Sequence, residues 1–429
     1  MAFWATFFTD FAMPQHQQRI YFDNAATTFP KPPEVLAAMA HYAQGIGASA
    51  GRGAYGEAQE SGHVLHTCRE RLNALFHGEN PNHFIFTLNC TDALNLAIQG
   101  MLNPGDHAIT TWMDHNSVLR PLNALEAAGV RVTRLPVDRA TGLLDPADIK
   151  KALTPHTRLV AVAHGSNVTG TLQAVREIGA ITRPAGVPLL VDAAQTAGHV
   201  PIDVQADQID LLAFPGHKGL MGPLGTGALY VRPGLEKRLR PLRYGGTGSI
   251  SEWDVQPDFM PDKFESGSHN AIGIAGLSAG VQWILNKSVN ALWEHQRALI
   301  SAFMEGVDNL ENLRYFGPQT VKNRLGVFSV RIDDMDPPTL AARLEHEFGI
   351  LTRAGLHCAP LAHRTIGTIG ANGPVTAAPA PAGGVGTTRF SFGPFLTCMD
   401  VQYACDALAS IAIAHQADGA NRAPQAALL

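Results

Sequence analysis

Cysteine is scarce in this chain. Cys68, Cys90, Cys358, Cys398 and Cys405 are the only thiols in 429 residues. The count is odd and no C-x-x-C occurs. That argues against a disulfide framework and for free thiols in a reducing, cytoplasmic setting. Charge is sparse too, at 16% of residues with a net charge of −5. No strong basic patch appears, so nucleic acid is not an expected partner. Long hydrophobic runs are missing; none reaches the roughly 18 residues of a membrane span. Residues 1–13 are apolar and aromatic, but the first cation is Arg19 and Asp10 interrupts them. No signal peptide is expected there. The stretch is expected to pack on the body of the protein or on a partner subunit.

What is present suits a large enzyme. Hydrophobic residues reach 45%, and 42 glycines and 28 prolines punctuate the periodic segments. Apolar runs at 84–87, 107–111, 131–136, 159–163, 188–192, 211–214 and 228–231 read as strands. Patterns at 92–99, 121–128 and 172–181 read as helices. This alternation predicts an α/β fold with a mainly parallel central sheet flanked by helices. A helical connector from 273 to about 310 leads into a smaller α+β C-terminal domain. That domain has strands at 327–332, 351–354 and 389–392 and helices at 338–348 and 400–415. The expected division is an extension at 1–19, a large domain at 20–285, a small domain at 286–415 and a flexible tail at 416–429. Residues 369–386, rich in Gly, Ala and Pro, read as a flexible loop.

In such sheets ligands sit beyond the carboxyl ends of the strands, and several polar residues follow strands directly. Asp192 ends a buried strand and needs a partner. It is either a helix N-cap or the counter-charge of a protonated pyridine nitrogen in pyridoxal phosphate (PLP). Gln195 is placed to donate to the phenolic oxygen of that ring. Lys218 lies in the glycine-rich turn Phe214-Pro-Gly-His217-Lys218-Gly. Glycine permits close approach there, as a partly desolvated Schiff-base lysine requires; a phosphate-binding or solvent-facing lysine is the other reading. Thr91, with Asp92, opens a helix and either caps it or offers an anion site for a cofactor phosphate. Thr247, in Gly245-Gly-Thr247-Gly248, belongs to a second anion nest. His115 either stacks on a ring and relays protons or is structural.

These stretches combine into a resemblance. Tyr21-Phe-Asp23-Asn-Ala-Ala-Thr-Thr28, Asp114-His115, Ser166-Asn167-Val-Thr-Gly170, Asp192-Ala-Ala-Gln195, Gly216-His217-Lys218, Arg353-Ala-Gly-Leu-His-Cys358-Ala-Pro and Thr388-Arg389-Phe-Ser stand in one order from residue 20 to about 412. Together they resemble the class V aminotransferase superfamily of fold-type I PLP enzymes, and within it the cysteine desulfurase and selenocysteine lyase group. The resemblance implies that Lys218 carries PLP and Asp192 pairs with its ring nitrogen. It implies that Asn167 and Gln195 flank the phenolic oxygen and that His115 stacks on the ring. Thr91, Asp92 and His217 would lie on the phosphate side, with Thr247 reaching the partner subunit's site. Arg389 would clamp the substrate carboxylate, beside Arg353, Asn24 and Ala26. The resemblance also implies a homodimer with shared active sites.

Cys358 narrows the reaction. By the resemblance it takes sulfur from L-cysteine as a persulfide, leaving L-alanine, and passes it to an acceptor protein; iron–sulfur cluster assembly is one such use. Arg353 and His357 are placed to favour its thiolate. With L-selenocysteine as substrate, Cys358 would matter less. A class V aminotransferase, epimerase or decarboxylating enzyme would not need Cys358, and a non-catalytic scaffold would not need Lys218 and Asp192. Three features depart from the resemblance: Pro215 replaces a hydroxyl residue, the stretch between Cys358 and Arg389 is long, and the N-terminal extension has no counterpart.

Overall fold

A computed structural model describes residues 19–50, 53–250, 252, 254–369 and 384–422, with side chains to Ala417. The extension before Arg19, most of the 369–386 loop and the last seven residues lie outside the described residues. Among the described residues, thirteen strands form three sheets: β1 (Ile20–Tyr21), β2 (Phe84–Thr87), β3 (His107–Thr111), β4 (Arg131–Leu135), β5 (Thr157–Ala163), β6 (Leu189–Asp192), β7 (Leu211–Pro215), β8 (Gly227–Val231), β9 (Leu313–Tyr315), β10 (Val327–Ile332), β11 (Ile350–Leu351), β12 (Arg353–Gly355) and β13 (Thr387–Ser391).

The central sheet runs β2-β8-β7-β6-β5-β3-β4. Only β8 is antiparallel to its neighbours; the other pairs are parallel. Side chains alternate between the faces with period two. Val160, Val162, Leu189, Val191, Leu212 and Phe214 enter one core. Leu159, Ala161, Leu190, Leu211 and Ala213 enter the other. Both faces are therefore dry, which is why these strands read as unbroken apolar runs. Full burial of each Val, Leu or Phe stabilises the fold by roughly 1.5–3 kcal/mol.

A separate core gathers Phe303, Phe328, Phe390 and Phe392 with Phe22 from the N-terminal arm. Its sheet is antiparallel, in the order β12-β13-β10-β9. The arm reaches it because β1 pairs with β11, Ile20 opposite Ile350.

The structure moves several boundaries. The helix expected at 121–128 is Asn116–Ala127, so Pro121 lies inside it rather than at its start. His115, not a Ser or Asp, is its N-cap. The helix expected at 172–181 is Val175–Thr182, because Leu172 and Thr171 make extended bridges to Gly165 and Arg324. The connector is two helices, Ala271–Lys287 and Val289–Val307. They break at Ser288, whose hydroxyl caps the second by accepting from Ala291 N. The strand expected at 351–354 splits between β11 and β12, which join different sheets. The last helix, Cys398–Arg422, continues past 416, where a flexible tail was expected.

Candidate active site

Strands β2, β3, β5, β6 and β7 all point the same way, so the segments leaving their carboxyl ends meet at one edge of the sheet. They border an open cleft of about 570 Å³, solvent at its mouth included, lined by Cys90, Thr91, His115, Ser117, Asn167, Asp192, Gln195, Pro215, His217 and Lys218, among others. Seven residues expected at the site thus converge on one space.

Asp192 terminates β6 and is 5% exposed. Its Oδ1 accepts from Ala194 N at 2.9 Å and from the Cys90 thiol at 3.5 Å. No hydrogen bond among the described residues reaches Oδ2. A carboxylate oxygen of a buried residue left free at a cavity wall calls for a ligand donor.

Lys218 follows β7, and its amine is pushed down from its ordinary value, chiefly by burial. Its turn is held tightly. The carbonyl of the preceding His217 accepts from Lys31 Nζ at 2.6 Å, Thr27 Oγ1 at 3.0 Å and Thr28 N at 3.1 Å. On the other side, a Cβ at Gly219 would stand 2.2 Å from Ala197 O. Only glycine lets the turn pack that closely. The His217 ring has a buried Nδ1 without a partner, a second polar atom that suits a bound group.

His115 Nδ1 accepts from Ser117 N at 3.0 Å. The ring proton of the neutral form is therefore on Nε2. Burial pushes its pKa down to about 4, so the neutral form prevails near pH 7. The N-cap and the cavity roles coincide in this residue. Below it, Asp114 is fully buried and orients the turn. It accepts from Thr110 and Thr111 hydroxyls, Thr111 N and Ala163 N. Thr91 does not cap its helix; Asn89 does, through Asp92 N. The Thr91 hydroxyl instead meets Ser117 Oγ at 2.8 Å in the cavity wall. Pro215 lines the cavity without a hydroxyl, and Ser117 supplies one.

Cys358 is exposed and does not line this cavity. It sits beside it, on a loop between β12 and the helix Pro360–Thr365. Asn116 N donates to Cys358 O at 3.0 Å, and Asn167 Nδ2 donates to His357 O at 2.6 Å. His357 and Cys358 both take left-handed backbone, φ 49° and 59°. Two such non-glycine residues in sequence cost energy and recur at functional sites. Arg353 Nη2 lies 3.9 Å from Cys358 Sγ. His357 does not support the sulfur as expected. Its Nε2 faces Thr387 Oγ1 at 3.1 Å, and burial holds its pKa well below the ordinary value.

Arg389 is 1% exposed. Its Nη2 donates to Asp23 Oδ1 at 2.6 Å and its Nη1 to Asn167 O at 3.3 Å, while buried Nε has no partner. Other expected residues stay off the cavity lining. Asn24 spends its side chain on Tyr21 O, Ser391 O and Phe29 N, fastening the arm. Ala26 turns back to Asp23 O through its N–H. Asp92 accepts from Leu88 N and pairs with exposed Arg243, so it is a capping residue rather than a phosphate ligand. Thr247 is on the surface, with its hydroxyl 3.0 Å from Ser249 Oγ. Sequence reasoning missed Cys90, Ser117 and Asp23 as site residues. The partners of Cys90 and Asp23 lie 102 and 366 residues away, and Ser117 meets Thr91 across 26.

The free Asp192 oxygen, the unpartnered His217 nitrogen, the Thr91 and Ser117 hydroxyls and the half-buried Lys218 amine fit PLP. Comparison with known proteins agrees. The aminotransferase class-V family pattern matches residues 20–404. A probable cysteine desulfurase of Methanothermobacter thermautotrophicus is 35% identical over 370 residues, 84% of this chain and 91% of that protein. Another, from Pyrococcus abyssi, is 34% identical over 81% of this chain and 86% of its own length. The apo structure of a cysteine desulfurase from Thermococcus onnurineus superposes with a TM-score of 0.83 at 31% identity, covering 92% of this chain and 95% of that one. The chain belongs to the class-V aminotransferase family, whose members depend on pyridoxal phosphate.

Proposed function

We propose that this protein is a cysteine desulfurase that converts L-cysteine to L-alanine and takes the sulfur onto Cys358 as a persulfide. The observation that carries this reading is the tether between Asn116 N and Cys358 O, which hangs a strained cysteine loop beside the Lys218–Asp192 cavity. When bound, PLP stores the electron pair released from the substrate's Cα–H bond. The other tasks belong to the chain. Asp192 Oδ2 would accept from the ring nitrogen and keep it protonated. Lys218, kept neutral more readily by burial, removes the Cα proton. Neutral His115, in the cavity wall, would offer an Nε2–H to a bound ring. Arg389, steadied by Asp23, receives the substrate carboxylate. The Cys358 thiolate attacks the substrate sulfur; the S–S bond forms as the Cβ–S bond breaks, the bond pair stays on Cβ, and a proton at Cβ with the proton returned to Cα by Lys218 completes alanine.

A homodimer fits the apolar side chains that one protomer leaves open, including Leu36, Leu224, Tyr244 and Val255, each more than 60% exposed. Thr247 on that exposed stretch is then available to the partner's site. Delivery to an acceptor protein, such as one that assembles iron–sulfur clusters, and a cytoplasmic setting accord with exposed Cys358 and with thiols that are all unpaired.

The test is alanine production together with sulfide or selenide release from L-cysteine and L-selenocysteine. Cys358→Ala should lose alanine formation from L-cysteine by about 10² or more, as expected for a removed nucleophile. Full activity of that variant on L-cysteine would overturn the persulfide role.

A further inference from the structure

We propose that Cys90 is a positioning residue for the cofactor, acting through Asp192. The inference rests on the reading of the cavity as a PLP site. Cys90 is the first residue of the helix Cys90–Met101 and lines the cavity. Its Sγ donates to Asp192 Oδ1 at 3.5 Å. The same oxygen takes Ala194 N at 2.9 Å. Two donors from two different elements, the turn after β6 and the helix after β2, therefore fasten one carboxylate oxygen. A single donor would leave the carboxylate free to swing about its Cα–Cβ and Cβ–Cγ bonds. With both in place, Oδ2 is held toward the cavity, where the ring nitrogen needs an acceptor.

The chemistry suits a permanent donor. Burial, and next the Asp192 charge, raise the thiol pKa well above the ordinary value, so S–H persists at working pH. A thiolate there would repel Asp192 and reverse the effect. The site is also distinct from the sulfur-carrying role. Cys90 is 8% exposed and bonded to the carboxylate, whereas Cys358 is exposed beside the cavity.

The test compares Cys90→Ser, which keeps a donor, with Cys90→Ala, which does not. Three readouts are taken on purified holoenzyme: the rate of PLP release, the pH midpoint of the cofactor's visible absorption, and a thermal melt. The alanine variant should release PLP about three- to tenfold faster, the scale of a lost weak hydrogen bond to a charged group. Its absorption midpoint should move from the wild-type value. The serine variant should stay within about twofold of wild type on release and keep its midpoint. If the alanine variant does not fold, Cys90→Thr and Cys90→Val, equal in shape, replace the pair; threonine should match wild type and valine should not. Equal release and equal midpoints within either pair would overturn the proposal. Wild-type protein that takes up no PLP would instead sink the cofactor reading beneath it.

Discussion

Arg389 and Asp23, 366 residues apart in the chain, form an ion pair with Nη2 2.6 Å from Oδ1, and the arginine side chain is 1% exposed. The pair joins the N-terminal arm to β13, so the residue proposed to receive the substrate carboxylate is oriented by the turn that follows β1. Removing one partner of a buried pair leaves an uncompensated charge and costs about 3–5 kcal/mol. Asp23→Ala should therefore lower the melting temperature by several degrees. It should also raise KM for L-cysteine more than it lowers kcat, because the guanidinium loses its orientation while the Lys218 chemistry is untouched. Steady-state kinetics and a thermal melt check both. An unchanged KM in a folded variant would count against Arg389 as the carboxylate receptor.

Asn167 ties the cavity to the cysteine loop through His357 O at 2.6 Å. Asn167→Ala removes that donor at a cost of about 1 kcal/mol. We expect alkylation of Cys358 by a small thiol reagent to be at least as fast as in wild type, since the sulfur is already exposed. Alanine formation should fall about tenfold, the scale of a misplaced reactive group. A fall in both rates together would point to a lost thiol environment rather than lost placement.

Gly170 closes the turn that carries Asn167. Its φ is +69°, and a Cβ there would stand 2.5 Å from Val327 O. Backbone cannot yield as a flexible side chain can. Gly170→Ala should destabilise the protein by about 2 kcal/mol or more, combining left-handed strain with a clash. Urea unfolding monitored at two wavelengths measures it. Wild-type stability in this variant would mean the β10 edge is softer than its contacts indicate.

Stability should fall with acid before the carboxylates titrate. Burial pushes His115, His164, His199, His217 and His363 down to about 4 from an ordinary 6.5. Between those values the unfolded chain binds more protons than the folded one, so stability is present above pH 6.5 and is lost as pH falls toward 4. Asp114 acts oppositely. Its pKa is raised to about 6, so it disfavours the fold as pH rises from 3.8 to 6. Five histidines outweigh one aspartate, and the melting temperature should decline from pH 6.5 to 4. A flat profile over that window would show that the histidines are better hydrated than their burial implies.

Most of the architecture was legible because its determinants are local. Strands of the central sheet are buried on both faces, so each wrote an apolar run between turns; β3 and β2 fall where the runs place them. Helix starts were harder. Pro121 looks like a first-turn proline, yet it lies inside a helix that His115 caps. A histidine seldom caps a helix, so composition offered no signal there. Ser288 breaks the connector through a left-handed backbone, φ 66°, which serine seldom adopts. Lys218, Asp192, Gln195, His217 and His115 all line the cavity, and each could be picked out because it ends a strand or lies within a few residues of a strand's end. Asp92 and Asn24 were overread: both stand in the right motifs, but their side chains are consumed by a helix cap and by the arm.

The sequence alone determined the class of fold and the chemical cast. Strand-ending polar residues, a glycine-bound lysine and a cysteine in Arg353-Ala-Gly-Leu-His-Cys358 are short-range facts, and period and turn chemistry express them directly. Only the tertiary structure decided which partners meet. Asp23 with Arg389, Cys90 with Asp192, Asn116 with Cys358 and Asn167 with His357 are contacts across 366, 102, 242 and 190 residues. Such contacts follow from strand order and from an arm that crosses to the second core. Distance along the chain carries no trace of them, because packing chooses partners by space.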